Sequence, residues 1–408
     1  MRMLINGGVA ERLKAAVSKI VVQFISVPRV RIPAPPPEKI QLQSIYMKSQ
    51  AKEKKRICYI DIAKCIAVFF VIVCHTGLIF PDTMQGGMPT KIVHFAFTFH
   101  LPVFFLASGY FFKLDQPLNL QFFKKSFRNL IVPYIVCCII ITIFALIVAC
   151  FNGASKMEIL IFWIKASLYG CGSENPLQII PTGQIGGIWF FLGLFWAQIL
   201  ILLVRRLPLP GIWLFAIFMV DWYIAQRYLI LPFSLSTAPC AALFVYAGTL
   251  AKKYQVFDLK NIGVTIATVI CLVIWLVYIF ATDYHMGMSL PILPHGLLDI
   301  IGSFAGGFIV VKLCKLCEAH LGQLSKFLQW IGRNTLVVFA VHIIQDNVIG
   351  DYWDILSAKL SIYFPDLAWI PFLIIRCLLI ALACGIIYLI PLLNSVFFVT
   401  KRRKTRQV

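Results

Sequence analysis

The segment ICYIDIAKCIAVFFVIVCHTGLIF, residues 57–80, decides the class of this protein. A membrane-spanning helix needs about 20 predominantly apolar residues, and this run supplies them. The run nevertheless carries three ionisable residues, Asp61, Lys64 and His75. An Asp or Lys at the centre of a membrane helix costs about 2.5 to 3.5 kcal/mol to insert, a cost that is usually tolerated for a function. The segment therefore predicts a membrane enzyme or transporter.

The three ionisable residues share one face of the predicted helix. Lys64 and His75 are eleven residues apart. At ~100° per residue they lie within about 20° of each other around the helix and roughly 16 Å apart along it. Asp61 falls on the same stripe, so the helix is predicted to present an aligned polar face.

The composition extends this prediction to the whole chain. Of 408 residues, 60% are hydrophobic and 13% charged, against about 45 to 50% apolar and about 25% charged in soluble proteins. The net charge of +20 resides in short clusters between apolar runs, which indicates topology signals and no nucleic-acid partner. The thirteen cysteines are scattered through apolar stretches as small hydrophobes. Cys314 and Cys317 lack a second pair at zinc-ligand spacing, so no metal is expected.

The apolar runs predict an all-α, polytopic membrane helix bundle with about ten transmembrane helices. The predicted spans are 57–80, 92–112, 129–150, 186–204, 209–226, 232–251, 262–281, 291–313, 330–349 and 367–396. Basic residues concentrate in alternate connections, which places both the N and C termini in the cytoplasm. A short interfacial helix is predicted from Lys156 to Tyr169, in the longest outward connection.

The chain divides into three parts by composition. Residues 1–50 form a basic, proline-bearing N-terminal extension, in which 13–26 could form a short amphipathic helix. A start of translation at Met47 is an equal alternative, in which case the preceding residues are an annotation artefact. Residues 51–400 form the membrane domain, and 401–408 a basic cytoplasmic tail.

Polar residues in the second predicted helix admit two interpretations. The run FHLPVFFLASGYFF, residues 99–112, contains His100 and Ser108. Its proline predicts a kink, and Ser108 with Gly109 predicts close approach by another helix. His100 is then either an interface residue or part of a site.

Two further elements are equally ambiguous when taken alone. Lys125 and Arg128 lie one turn apart before the third helix. They are either topology signals or two cations that bind a diphosphate together. In WIGRNTLVVFAVH, residues 330–342, Asn334 or Thr335 is predicted to cap a helix. His342 lies about two turns further on, and could simply donate a hydrogen bond across the bundle.

Taken in order, these elements resemble the acyltransferase 3 family of multipass membrane O-acyltransferases, over roughly residues 56–400. The matching features are Lys64 before His75, the F-H-x-P-x-F-F-x-x-S-G-Y-F second helix, the basic pair before Pro133-Tyr134, Trp189-Phe190, and the I-G-x-N-[ST]-L…H element of residues 331–342. The chain departs from the family pattern at Lys125, Thr335 and Cys65, where the family more often has arginine, serine and glycine.

The resemblance implies that acetyl-CoA is the donor substrate, with no tightly bound cofactor. It implies a carbohydrate or glycolipid acceptor at the cell surface, and a multipass location in the bacterial inner membrane, in contact with the lipid bilayer. His75 would be the base or the acyl carrier, since an imidazole exchanges protons near neutral pH. Lys64 would contact the donor, and Lys125 and Arg128 would hold the CoA phosphates. The further candidate site residues are Asp61, His100, Ser108, Trp189, Asn334 and His342.

Two other functions remain open from the residues. A transporter or flippase for a glycan intermediate would use Asp61, Lys64 and His75 as a proton or substrate path. A receptor or scaffold without turnover would leave the ionisable stripe without a purpose.

Overall fold

The computed structural model describes residues 57–259, 261–283 and 286–398, and this part of the chain is helical. The only β pairing recorded there is two isolated bridges, Gln178 with Ile230 and Gly287 with Ile292. The helices are α1 Cys58–Ile79, α2 Thr90–Phe97, α3 His100–Phe111, α4 Leu120–Ser126, α5 Val132–Asn152, α6 Lys156–Tyr169, α7 Trp189–Val204, α8 Pro210–Arg227, α9 Ala238–Lys253, α10 Ile262–Ala281, α11 Leu297–Cys317, α12 Gly322–Arg333, α13 Thr335–Val348, α14 Gly350–Tyr363, α15 Trp369–Leu389 and α16 Pro391–Phe397.

Among the described residues, seven helical segments are long and apolar enough to cross a membrane, or eight if the bent pair α12–α13 forms one span. Each of the ten predicted runs contains helix, but ten spans are not confirmed. The two predicted spans that are not candidates in the structure correspond to α8 and α9. Helix α9 has only 16 residues, short of the ~20 that a span requires, and α8 carries Asp221, Gln226 and Arg227.

Several predictions concern residues that the structure does not describe. The N-terminal extension, its amphipathic helix at 13–26, the start at Met47 and the tail 401–408 lie outside the described residues. The cytoplasmic location of both termini stays a prediction.

The predicted helix from Lys156 to Tyr169 is confirmed as α6, which Ser155 caps by accepting a hydrogen bond from the Glu158 amide.

The interruption predicted from Pro102 is confirmed. The helix breaks between α2 and α3 at Thr98 and Phe99, four and three residues before the proline. This is where a proline acts, because it removes the bond to the carbonyl four residues earlier, and Pro102 itself lies in the first turn of α3.

The predicted cap at residues 334–335 is wrong. Neither side chain caps α13. Instead the Asn334 amide donates to the Trp330 carbonyl at 3.0 Å, which is the competition with backbone bonding that breaks or bends helices. The axes of α12 and α13 consequently differ by 64°.

Helix α1 lies at the centre of the bundle, where it contacts α2, α3, α11, α12, α13, α14 and α15. Its buried apolar residues belong to the main core on one side, with Val68, Val71 and Ile72, and to a second core cluster with Ile60 and Ile62. Side chains from several helices therefore converge on the ionisable stripe of α1.

Close helix approach depends on glycine at three positions. A Cβ added to Gly109 would overlap the Val245 carbonyl, and one added to Gly248 would overlap the Leu106 carbonyl. The predicted close approach at Ser108-Gly109 is thus confirmed, with α9 as the neighbour. Gly332 touches the Asp61 carbonyl in the same way, which seats α12 directly on α1.

We expect Gly332→Ala to lower the free energy of unfolding by roughly 1 to 3 kcal/mol, because a backbone carbonyl has no room to move aside. Thermal unfolding of the detergent-solubilised protein measures this effect. Gly385→Ala is the matched control, since no neighbouring atom lies within 4 Å of the added Cβ. Alanine at Gly385 should be neutral or stabilising by up to about 1 kcal/mol. Equal stability of the two variants would contradict the close contact.

Candidate active site

His75 lies near the end of α1 and forms the centre of a charged cluster. Its Nδ1 is 2.8 Å from Oδ2 of Asp346 on α13, and the His75 side chain is 26% exposed. The other Asp346 oxygen pairs with the guanidinium of Arg376 on α15, which is completely buried. The chain of contacts is therefore Arg376 to Asp346 to His75, drawn from three helices.

The contact with Asp346 determines which nitrogen of His75 is available for chemistry. A carboxylate this close to Nδ1 favours the proton on that nitrogen and leaves Nε2 to exchange a proton. Among the described residues, no group hydrogen-bonds to Nε2 of His75. The imidazole of His75 is thus a base positioned by a carboxylate, and its side chain is partly exposed.

His342 lies beside this cluster and is fully buried. Its ring is edge-on to that of His75, with 5.0 Å between the centroids, and it packs against Phe339. Neither ring nitrogen of His342 has a hydrogen-bond partner in the described part of the chain. The alternative that His342 bonds across the bundle is therefore not supported.

The cluster also contains donors that suit a metal ion. His75, His342 and Asp346 offer ligand atoms that lie within 4.8 Å of one another. The single carboxylate already pairs with Arg376. A divalent cation would add two positive charges beside a buried guanidinium with no further acid among these ligands, which is costly at low dielectric. Proton transfer therefore fits the charges better than metal binding.

A second charged cluster lies about 16 to 21 Å from His75 along α1, at the other end of the predicted stripe. Lys64 Nζ is 3.0 Å from one oxygen of Asp61, and Arg333 Nε is 3.9 Å from the other. Arg333 is the last residue of α12, and its Nη2 also donates to Gln329. Val68 and Val71, each 2% exposed, separate the two clusters. The stripe is thus two sites and not one continuous polar path.

The remaining predicted residues lie in different surroundings. His100 is buried, with Nδ1 at 2.7 Å from the Ala96 carbonyl and 3.8 Å from Cys74 Sγ. Trp189 is buried at the start of α7 against Phe105. Ser108 is half-buried beside the contact of α3 with α9, and Asn334 forms the bend described above.

Lys125 and Arg128 are both exposed. Lys125 lies in the last turn of α4, and Arg128 in the π-helical turn Phe127–Ile131 that joins α4 to α5. No carboxylate in the described part of the chain lies within 4 Å of either side chain. Two exposed cations without an acidic partner are available to an anion.

Three residues of the clusters were missed from the sequence: Asp346, Arg376 and Arg333. Asp346 follows His342 by four residues and so shares its face. Arg376 interrupts the apolar run of residues 369–389, which is the same kind of signal as Lys64 in the first helix. Arg333 lies in the predicted helix of residues 330–349, and nothing in the neighbouring sequence points to its contact with Asp61.

The chain matches a known family over most of its length. The family model Acyl_transf_3, described as an acyltransferase domain, matches residues 57–390. The matched region begins at the residue before α1 and ends just after α15, so it includes both charged clusters. A search of curated proteins gave no match to this chain.

Proposed function

This chain belongs to the acyltransferase 3 family, and from that premise we propose that it transfers an acetyl group from acetyl-CoA to a hydroxyl of a cell-surface or lipid-linked carbohydrate. Family membership and the apolar helices establish a membrane acyltransferase in general. The donor, the acceptor and the bacterial inner membrane as location belong to the proposal. The acceptor class rests on the family resemblance.

The observation that carries this proposal is the contact between His75 and Asp346. A partly exposed imidazole with a carboxylate at Nδ1 is the arrangement that removes a proton from a hydroxyl. In the proposed reaction, Nε2 of His75 takes the hydroxyl proton as the oxygen attacks the thioester carbonyl. The carbon–sulfur bond breaks, and the thiolate of CoA leaves and is protonated.

The same nitrogen also serves a covalent route. Nε2 would attack the thioester first, forming an acyl-imidazole and releasing CoA, and the acceptor hydroxyl would then displace the imidazole. Acid-quenched labelling of the protein in the absence of acceptor distinguishes the two routes, because only the covalent route leaves label on the chain.

The proposal is tested with radiolabelled acetyl-CoA and membranes that express the chain. CoA release is measured, and label is counted separately in the glycan and lipid fractions, with membranes lacking the chain as control. Label in one fraction, matched by CoA release, supports the transfer and points to the acceptor. Transport of a glycan without CoA release, with an acceptor demonstrably present, would instead indicate the transporter function.

We expect Arg128→Ala to raise the KM for acetyl-CoA by roughly tenfold, with a smaller loss of maximal rate. The reason is that an exposed cation that holds a donor phosphate contributes to binding before the reaction begins. Steady-state kinetics at varied donor concentration measures the split. Arg206→Ala is a control, since Arg206 is also an exposed arginine between apolar helices. An unchanged KM in Arg128→Ala would assign this arginine to topology alone.

A further inference from the structure

A cavity of about 560 Å³ lies between α7, α8 and α9, and no residue of the two charged clusters lines it. Along α8 it extends from Trp213 to Ile224, about 16 Å of helix. Both of these side chains are exposed, as is Leu203 of α7, which also lines the cavity. Helix α7 belongs to a segment that is long and apolar enough to cross a membrane. The cavity is therefore a groove at the depth of the lipid chains.

The lining of the groove is apolar except at one position. Asp221 is the only charged residue among the described residues that line it. The Ser236 hydroxyl lies beside this carboxyl group, but the buried Oδ2 has no hydrogen-bond partner in the described part of the chain. An unpaired buried acceptor among apolar side chains costs free energy unless a donor reaches it. The groove thus fits a hydrocarbon chain with an O–H or N–H donor near one end.

The position of Asp221 indicates where the polar end of such a chain lies. Asp221 is six residues, about 9 Å, from the end of α8 at Arg227. From Asp221 to Trp213 the groove follows α8 for about 12 Å, which is the length of about ten extended methylene groups at roughly 1.2 Å per bond. This length is close to half of the hydrocarbon core, which is about 30 Å thick. The groove therefore matches one chain of a lipid in a single leaflet.

The mouth of the groove and His75 lie at the same end of the bundle. The segment between α8 and α9 closes the groove at this end, and its Ile230 amide donates to the Leu177 carbonyl at 2.9 Å. Leu177 belongs to the connection between α6 and α7. Further along this connection, a Cβ added to Gly186 would lie 3.0 Å from the side chain of Asn347, which directly follows the carboxylate partner of His75. A polar group that emerges from the groove is thus on the side where His75 is exposed.

We propose that this groove binds the hydrocarbon chain of a glycolipid acceptor, and that Asp221 accepts a hydrogen bond from a hydroxyl or amide at its polar end. This inference rests on the function proposed above and narrows the acceptor to a lipid-linked carbohydrate. Because no cation is among the described residues that line the groove, the Asp221 carboxylate disfavours a phosphate at this level. The charge therefore favours a sugar that is joined to its lipid through a neutral linkage.

The test uses three probes that separate the chain from the polar group. Dodecyl β-glucoside has the chain and a neutral sugar, dodecyl phosphate has the same chain and an anionic group, and methyl β-glucoside has the sugar alone. Equilibrium binding of each radiolabelled probe is measured with the purified full chain in phosphatidylcholine nanodiscs, and binding to empty nanodiscs is subtracted. We expect saturable binding of dodecyl β-glucoside. Affinity should be roughly tenfold lower for dodecyl phosphate and at least roughly 100-fold lower for methyl β-glucoside.

Two substitutions in the groove and one outside it complete the design. Ala216→Trp fills the groove and should lower the affinity for dodecyl β-glucoside by at least roughly tenfold. Ala267→Trp is the matched control, since Ala267 is exposed on α10 and does not line the groove. Asp221→Asn keeps the shape and removes the charge, so it should abolish the preference for dodecyl β-glucoside over dodecyl phosphate. Thermal unfolding of each variant confirms that it is folded.

The outcomes separate this inference from the function on which it rests. Unchanged binding of dodecyl β-glucoside in Ala216→Trp would overturn the inference, and so would equal affinity of the wild type for the two dodecyl probes. In the transfer assay with labelled acetyl-CoA, label in the lipid fraction should fall in Ala216→Trp and not in Ala267→Trp. Label that enters only lipid-free glycan would remove the acceptor from the groove. Groove binding without acetyl transfer or CoA release in any of these proteins would instead contradict the proposed function, and the lipid site would stand.

Discussion

His75→Gln is expected to lower kcat for acetyl transfer by about 10³-fold, the largest kinetic effect of any single substitution on α1. A positioned general base contributes typically 10² to 10⁴ in rate, and its loss removes the group that accepts the hydroxyl proton. Glutamine keeps a polar side chain of similar length at this partly exposed position, and Asp346 keeps its ion pair with Arg376. The loss should therefore appear in the rate and not in the folding of the protein.

The measurement is single-turnover transfer of labelled acetyl in purified protein, with thermal unfolding recorded for the same preparation. His320→Gln is the control for the chemical change, because His320 is exposed in the connection between α11 and α12. That variant should transfer acetyl at the wild-type rate. A His75→Gln protein with normal stability and near-normal kcat would show that another group accepts the proton.

His75 could be predicted from the sequence because the cost of an ionisable residue in a membrane helix depends only on the residues next to it along the chain. A charged residue within 20 apolar residues is visible without any knowledge of its neighbours, and the helical period places Lys64 and Asp61 on the same face. What the period does not supply is the partners. Asp346 and Arg376 are 271 and 301 residues further along the chain than His75, and only the packing of α13 and α15 against α1 brings them together.

The bend at Asn334 explains why Arg333 and Asp346 were not predicted as partners of α1. The sequence treats residues 330–349 as one span with a polar cap, whereas a single bond from the Asn334 side chain to the Trp330 carbonyl separates α12 from α13. The bend allows one segment to meet α1 at Gly332 and the next to meet it at His75. A side chain that competes with the backbone looks the same in the sequence as one that caps it.

Substitution of Asp346 or Arg376, which form an ion pair, gives the second large expected effect. It acts on the stability of the protein and, for Asp346, on the reaction rate. Arg376 is completely buried. Removing one partner of a buried ion pair leaves the other charge uncompensated, at a cost of about 3 to 5 kcal/mol. We expect both Asp346→Leu and Arg376→Met to unfold at clearly lower temperature than the wild type. The double variant should regain most of that stability, since apolar side chains of similar size remove both charges.

The kcat values of these variants should not rise and fall with their stability. Any variant without Asp346 loses the group that orients His75, and the analogous loss in a histidine–aspartate pair costs up to about 10⁴ in kcat. The double variant is therefore predicted to be stable but inactive, while Arg376→Met alone keeps Asp346 and should retain much of the activity per folded molecule. Recovery of both stability and activity in the double variant would contradict an orienting role for Asp346.

An exposed ion pair serves as the matched control for these substitutions. Lys91 and Asp283 are 3.1 Å apart but 60% and 84% exposed. Water screens such a pair, so Lys91→Met and Asp283→Leu should each change stability by less than about 1 kcal/mol and leave kcat unchanged. The contrast tests burial as the cause of the larger effect, because both pairs join a cation to an aspartate and differ strongly in exposure. Since Asp346 is held by Arg376 and itself holds His75, the same carboxylate that stabilises the bundle is predicted to set the rate.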